Sequence, residues 1–370
     1  MQISALNEIN RDLYKGEIII YGCGRFAIDV YKMLIKNHMP VAAFTTTNYA
    51  GEEKTFCGKP IWTLEKVKKS YAEKHYNVVI GTINKKFIGE IVSNLLSCGI
   101  TERIYSMEPN YQQGLFDTAK METYISQNAD KIDFVREKLC DNRSKEIFDY
   151  MLNLRKTNDM EWAKQANCHD HTCYFLPEFD ISDEEVFVDA GGYDGDTIED
   201  FLKVCSSKYK HIYSFEPDDL LFPILKEVVN QNGYPNITIC QMGLYQEETV
   251  LKFDNRHTQG SLISDNGGLK ISVIDLDSFL KKELFAPTFI KMDIEGAERE
   301  ALKGCESTIK TFFPKLAICI YHLPDDLWEI PYWLMTKFPE YEYYIRHYRD
   351  NATETLLYAV PSKGRDCFER

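Results

Sequence analysis

Between residues 185 and 197 an apolar run ends in an acid and turns at once into glycines: Glu-Val-Phe-Val-Asp-Ala-Gly-Gly-Tyr-Asp-Gly-Asp-Thr. Val186, Phe187 and Val188 carry no polar alternation, as expected of a strand buried on both faces of a parallel sheet. Gly191, Gly192 and Gly195 follow, and residues 197–204 read as a helix. A buried strand that turns sharply into a helix belongs to an open α/β sheet, whose ligands lie beyond the carboxyl ends of the strands. Glycine serves such a turn because it takes unusual dihedrals and lets backbone approach a ligand closely.

The second half of the chain repeats this alternation. Residues 211–215 form a strand ending in Glu216-Pro217-Asp218, and a helix covers 220–232. Strand 237–240 ends in Gln241-Met242-Gly243-Leu244. Residues 248–253 and 271–275 alternate like a β-hairpin joined by a loop at 257–268. Strand 289–293 ends at Glu295-Gly296-Ala297-Glu298 and leads into a helix at 297–310. Strand 315–321 is capped by His322, and a helix at 325–337 precedes strands at 341–348 and 354–360. The strand ends thus carry Asp189, Glu216, Gly243, Asp293 with Glu295, and His322.

Those ends define a chemistry. Glu216 lies about twenty residues beyond the glycine loop, the separation at which an acid accepts both ribose hydroxyls of an adenosine cofactor. Asp189, Asp194 and Asp196 would repel the pyrophosphate of NAD, whereas S-adenosylmethionine is cationic and suits an acidic rim. Asp194, Asp196 and Thr197 also fit the start of a helix, and both roles are compatible. Asp293 and Glu295 project to one side, with Lys291 at the same parity; they are placed to hold the methionine ammonium or to orient an acceptor, and they leave room for Mg²⁺ without requiring a metal. His322 is the expected general base for a hydroxyl acceptor, with His257 a weaker rival.

The first half holds a second, smaller alternation: strands at 17–22, 41–44, 77–81 and 103–107, with helices at 26–37 and 87–97. Gly22, Gly24 and Ala27 have the spacing of a dinucleotide turn. The acid that binds a ribose hydroxyl at the end of the next strand is missing, since that end reads Phe44-Thr45-Thr46-Thr47-Asn48. This Rossmann-like domain resembles the nucleotide-binding-like domains at the front of some glycan-modifying enzymes, which implies a sugar nucleotide as its ligand. Two other readings stay open: an NAD-dependent oxidoreductase using this turn, and a non-catalytic sugar-nucleotide-binding module that keeps a methyltransferase fold.

Residues 121–155 are charged, with Ile132, Val135, Leu139, Ile147, Tyr150, Met151 and Leu154 at helical spacing, and read as two helices linking or capping the domains. Metal-capable side chains crowd Cys168-His169-Asp170-His171-Thr172-Cys173, but no second pair follows as a structural zinc site requires, and an ordinary loop is the simpler reading. Tyr174 to Pro177 would line an entrance or fill core.

At 370 residues the chain is long enough for two domains. A net charge of −14 disfavours nucleic acid and anionic membrane as partners. No apolar run reaches the roughly eighteen residues of a membrane helix. Eleven irregularly spaced cysteines fit a reduced, cytoplasmic protein, and a homodimer is left open.

Residues 187–197, Phe215-Glu216-Pro217 and Phe289-Ile-Lys-Met-Asp-Ile-Glu-Gly-Ala-Glu298 together resemble the FkbM family of S-adenosylmethionine-dependent methyltransferases. The resemblance spans residues 184–361. It implies a class I methyltransferase domain at 184–370, with a Rossmann-like seven-stranded sheet whose last strand is antiparallel. A helical linker or cap at 111–183 and the smaller Rossmann-like α/β domain at 1–110 precede it. It also implies Asp189, Gly191, Gly195, Glu216 and Asp293 at the cofactor, and O-methylation, often of a sugar hydroxyl in a glycan or secondary metabolite. Family members often have an Asn-x-Ala-Leu pattern where this chain has Gln241-Met242-Gly243-Leu244.

Overall fold

Ile18, Ile19 and Ile20 are inaccessible to solvent, as their uninterrupted apolar run requires of a central strand in a sheet covered on both faces. The computed structural model describes residues 3–5, 16–36, 38–47, 54–74, 76–82, 85–101, 103–106, 116–169, 173–219, 221–253 and 269–362. The chain divides into two units, Met1–Tyr111 and Gln112–Arg370.

The first unit has strands β1 (Ile3–Ala5), β2 (Glu17–Tyr21), β3 (Val41–Thr45), β4 (Thr55–Phe56), β5 (Lys59–Trp62), β6 (Tyr76–Ile80) and β7 (Ile104–Ser106). Helices α1 (Arg25–Lys36), α2 (Leu64–Glu73) and α3 (Lys85–Ser97) alternate with them. The sheet order is β1-β7-β6-β2-β3-β5-β4, parallel throughout except for the β4–β5 hairpin. Winding reverses between β2 and β6, and there Gly22 sits at φ 136° with a Cβ position only 3.0 Å from the Gly81 carbonyl oxygen. The short β1, the β4–β5 hairpin and α2 add to the elements expected from sequence.

In the second unit the main strands are β8 (Val186–Ala190), β9 (His211–Phe215), β10 (Ile237–Cys240), β14 (Phe289–Met292), β15 (Lys315–Cys319), β16 (Tyr341–His347) and β17 (Thr355–Pro361). They form one sheet in the order β10-β9-β8-β14-β15-β17-β16. Only β17 runs against its neighbours, which is the antiparallel last strand that the resemblance implies. The intervening β11 (Gly243–Leu244), β12 (Thr249–Phe253) and β13 (Leu269–Ile274) make a separate three-stranded sheet, with β12 and β13 paired antiparallel as the alternation predicts. The loop that joins them, with His257, lies outside the described residues.

Both faces of the large sheet are covered. On one, Phe187 stacks on Phe201 at 4.6 Å and meets Phe289 at 4.9 Å, part of a cluster with Phe175 and Phe179. Each such buried ring contributes roughly 1.5–3 kcal/mol of hydrophobic stabilisation. The other face carries the helices before the glycine loop: α4 (Thr118–Gln127), α5 (Ala129–Lys138), α6 (Asn142–Thr157) and α7 (Glu161–Ala166). The two-helix reading of this stretch is therefore too coarse. Met121, Ile132, Val135, Ile147, Phe148, Met151 and Leu154 join one core with Trp328 and Leu334, so these helices are a layer of the second unit.

Helices α8 (Asp196–Val204), α9 (Leu221–Asn232), α10 (Leu276–Leu280), α11 (Glu298–Lys303), α12 (Glu306–Phe312) and α13 (Asp326–Lys337) complete it. The single helix expected over 297–310 is broken between α11 and α12. At the break Gly304 lies against the backbone of Tyr245, where a Cβ would fall on the Tyr245 carbonyl oxygen. No described helix is long and apolar enough to cross a membrane.

Candidate active site at the carboxyl ends of the strands

The glycine loop is held from below. Asp189 ends β8 fully buried, with Oδ1 2.9 Å from the ammonium of Lys291 and Oδ2 accepting from Ser214 Oγ at 3.1 Å. Lys291 faces Asp189 because the two are register partners in the parallel β14–β8 ladder. The ammonium also donates to the carbonyls of Ala190 at 3.2 Å and Gly191 at 2.7 Å. Burial alone would lower the Lys291 pKa, but Asp189 and Asp293 raise it above the ordinary value, so the lysine stays charged.

The loop glycines are required by what surrounds them. Gly191 has φ 84°, and a Cβ there would collide with the Asp293 carbonyl oxygen. A Cβ on Gly192 would collide with Ser214 Oγ. Gly195, at φ 93°, caps α8 and has no side chain with which to bond the helix start. Asp196 occupies the first turn, where an acid suits the positive end of the helix, and Thr197 is buried beside it. Asp194 is half-buried in the same loop.

Glu216 closes the loop from the neighbouring strand. Its carboxylate is buried and accepts from the Tyr193 amide at 2.9 Å and the Asp218 amide at 2.8 Å. A carboxylate offers about four acceptor positions, and these two bonds fix its orientation. Gly243 is buried next to it, with its Cβ position 3.6 Å from Pro217.

At the ends of β14 and β15, Asp293, Glu298 and His322 come together. Asp293 Oδ2 accepts from the Tyr174 hydroxyl at 2.7 Å, and Oδ1 accepts from Tyr321 at 3.3 Å. His322 Nε2 lies 3.3 Å from Asp293 Oδ1 and 3.7 Å from Glu295 Oε2, while Nδ1 lies 2.9 Å from Glu298 Oε1. Burial would lower the His322 pKa, but Glu298 first and Asp293 next hold it well above the ordinary value. Burial would raise the Asp293 pKa, but His322, Lys291 and Tyr174 hold it well below the usual carboxylate range. Tyr174 and Tyr321 are pushed well up by burial and by Asp293, and remain neutral donors. Glu295 is largely exposed, at φ 56°.

Glu298 and Asp293 thus favour the charged form of the His322 ring, and a ring held in that form is a poor proton acceptor. Glu298 is the group that sequence reasoning left without a role; its signal is its place in the first turn of the helix after Asp293. Lys291 was likewise visible only as parity, Tyr174 only as an entrance or core residue, and Tyr321 only as the end of a strand. Among the described residues Asp293, Glu298 and His322 are a grouping whose ligand atoms lie within 4.8 Å of one another. The imidazolium already supplies the positive charge that a metal would bring there.

The remaining sequence candidates stand elsewhere. Cys168 takes the His347 carbonyl through its amide, and Cys173 Sγ lies 3.8 Å from Glu354 Oε2, while residues 170–172 are outside the described set. In the first unit, the end of β3 presents neutral groups: Thr45 Oγ1 donates to the Trp62 carbonyl, and Thr47 Oγ1 meets Tyr21 and Asn94.

Comparison with known proteins agrees with this geometry. Residues 189–351 match the family model of the Methyltransferase FkbM domain. No curated protein matches the chain. The crystal structure of Methyltransferase FkbM from Methylobacillus flagellatus KT is similar over 93% of this chain and 90% of that one, at 23% identity and a TM-score of 0.57. An rRNA methylase from Streptococcus thermophilus is similar over 49% of this chain and 89% of its own, at 13% identity and a TM-score of 0.33. That last similarity is too low to bear on the fold or the function. The glycine loop and the strand-end acids fall within the matched stretch while β17 lies beyond it, and residues 189–351 match a methyltransferase FkbM domain on a class I methyltransferase fold.

Proposed function

We propose that the protein transfers a methyl group from S-adenosylmethionine to a hydroxyl, on a sugar or on a glycan or secondary-metabolite precursor. The observation that carries this reading is the row of acids at the ends of β9, β8 and β14 around one glycine loop, with Glu216 bonded to that loop through Tyr193. The residues fit the cofactor chemically, because a cationic ligand with two ribose hydroxyls matches a buried carboxylate and an acidic crevice.

Glu216 would hold the ribose, while Gly191, Gly192, Gly195 and Gly243 keep the walls low enough for a ligand. Asp189 acts through Lys291, fixing the strand end. Asp194, Asp196 and Thr197 form the acidic helix start beside it, and Asp293 is within reach of the ammonium side. When bound, S-adenosylmethionine supplies a methyl electrophile on a sulfonium. His322, Asp293 and Glu295 are the reaction-site side chains. We assign the proton-accepting role to Asp293, which is ionised at neutral pH, and to His322 the task of orienting it. A hydroxyl becomes far more acidic as its oxygen takes the methyl group, so even a weakly basic carboxylate can receive the proton. No metal has a place in this scheme, and transfer should persist in EDTA.

The first unit is proposed to bind a nucleotide or sugar nucleotide at Gly22, because that turn lies where the winding of its sheet reverses. Buried thiols at Cys205, Cys305 and Cys319 support a cytoplasmic setting.

Calorimetry with S-adenosylmethionine tests the main reading. Wild type should bind saturably, and Glu216→Ala should bind about 10- to 100-fold more weakly, the worth of one or two hydrogen bonds to a charged group. Equal affinity in the two proteins overturns the ribose assignment.

A further inference from the structure

A cavity of about 710 Å³ opens in the second unit between helix α4 and the turn His322-Leu323-Pro324. That is within the size range of small-molecule sites. The wall on the α4 side is one helix face: Ala119, Thr123 and Gln127 recur every four residues and so line up along it. Met121 is buried at the cavity's edge, and Ile125, also buried, anchors the helix to the core.

The cavity meets the sheet at His322, at the end of β15. The glycine loop follows β8, two strands away, and Asp293 stands between them at the end of β14. A molecule in this cavity and a cofactor at the glycine loop would therefore face one another across Asp293.

The lining also limits what can enter. Phe116, Tyr124, Leu323 and Pro324 offer flat apolar surface, while Thr123 and Gln127 offer neutral polar atoms. The charged members are already matched: Lys120 lies 3.0 Å from Asp117, and His322 lies between Asp293 and Glu298. An anionic ligand would have to compete with Asp117 for Lys120, which is exposed, and with Asp293 and Glu298 for His322. Behind the wall, fully buried Arg155 donates to the Pro324 carbonyl at 2.9 Å and stacks over Phe116 at 4.9 Å, bracing both sides.

We propose that this cavity is the methyl-acceptor pocket and that it takes a neutral hydroxylated ring with one apolar face, with α4 as the wall that selects it. The inference rests on the methyltransferase reading for the word acceptor, and on the cavity alone for the ligand.

The test uses the full chain with ¹³C-methyl alanine, with and without S-adenosylhomocysteine. Methyl glycopyranosides form one arm, simple phenols a second, and glucose 6-phosphate a third. Either neutral class should give nuclear Overhauser contacts to the Ala119 methyl and bind at least tenfold more weakly to Thr123→Trp, with S-adenosylhomocysteine affinity changed less than twofold. The arm that binds names the source of the ring. Binding of neither neutral class, binding without contact to Ala119, or tighter binding of the phosphate overturns the proposal. Should Thr123→Trp fail to fold, the contacts in wild type decide alone. Failure of S-adenosylhomocysteine to bind wild type counts against the methyltransferase reading and leaves the cavity result standing.

Discussion

Lys291 Nζ and Asp189 Oδ1 stand 2.9 Å apart with both side chains withdrawn from solvent, and they are register partners on adjacent strands. Breaking a buried ion pair by removing one partner typically costs about 3–5 kcal/mol, because the other charge is left unmatched. Lys291→Met should lower the unfolding free energy of the second unit by that order in urea denaturation. Adding Asp189→Asn should restore much of it, since no bare charge then remains. Equal losses in the single and double variants would show that leaving Asp189 unmatched carries no penalty.

Gly191→Ala and Gly195→Ala should differ in kind. Both place a side chain at positive φ, which costs on the order of 1–2 kcal/mol. At Gly195 the new Cβ meets Val228 at 3.3 Å, a contact a side chain can relax. At Gly191 it meets the Asp293 backbone, which cannot move without shifting β14. Gly191→Ala should lose S-adenosylmethionine binding in calorimetry, and Gly195→Ala should keep much of it.

His322 gives a prediction about pH and rate. Its pKa is raised in the fold, so its ion pairs stabilise fully below the unfolded value of about 6.5 and are lost as pH rises through the folded value. The stability gap between wild type and His322→Gln should shrink in the alkaline range. Turnover should stay flat between about pH 6 and pH 8, where a free histidine base would titrate. His322→Gln should cut kcat by about 10²-fold or more while leaving cofactor affinity within a few fold.

His347 behaves in the opposite sense. It is fully buried on β16, with Nδ1 2.9 Å from Thr355 Oγ1, and burial pushes its pKa down to about 4. The unfolded chain therefore binds the extra proton more readily. Stability is complete above about 6.5 and falls as pH drops through 4, by roughly 3 kcal/mol in full. His347→Gln should flatten the acid limb of the unfolding free energy measured between pH 7 and pH 4.

The large sheet was legible because its strands are long, apolar runs that end in acids and glycines. All seven appear within a residue or two of where the pattern places them, and so does the β12–β13 hairpin. Shorter elements escaped, since β1 at three residues and β4 at two carry no periodicity to detect. The candidate site was legible as a set of positions but not as a set of charges. That Lys291 spends its charge on Asp189 depends on β14 lying beside β8, which no local spacing reveals. Glu298, in the first turn of α11, raises the His322 pKa, which the strand-end position of His322 alone does not reveal. The helices at 118–166 looked like a connection because their charged faces are as prominent as their buried ones; packing shows which face matters.

Helix α4 ends at Gln127, well before the matched stretch begins at residue 189. Proteins that share this domain can therefore carry entirely different walls opposite His322. A substrate name passed from one of them to another on the strength of the shared domain would describe the donor half of the reaction and leave its selectivity to a different piece of chain. Grafting residues 116–127 between such proteins, rather than editing the strand ends, is the route by which preference for the methylated compound would travel.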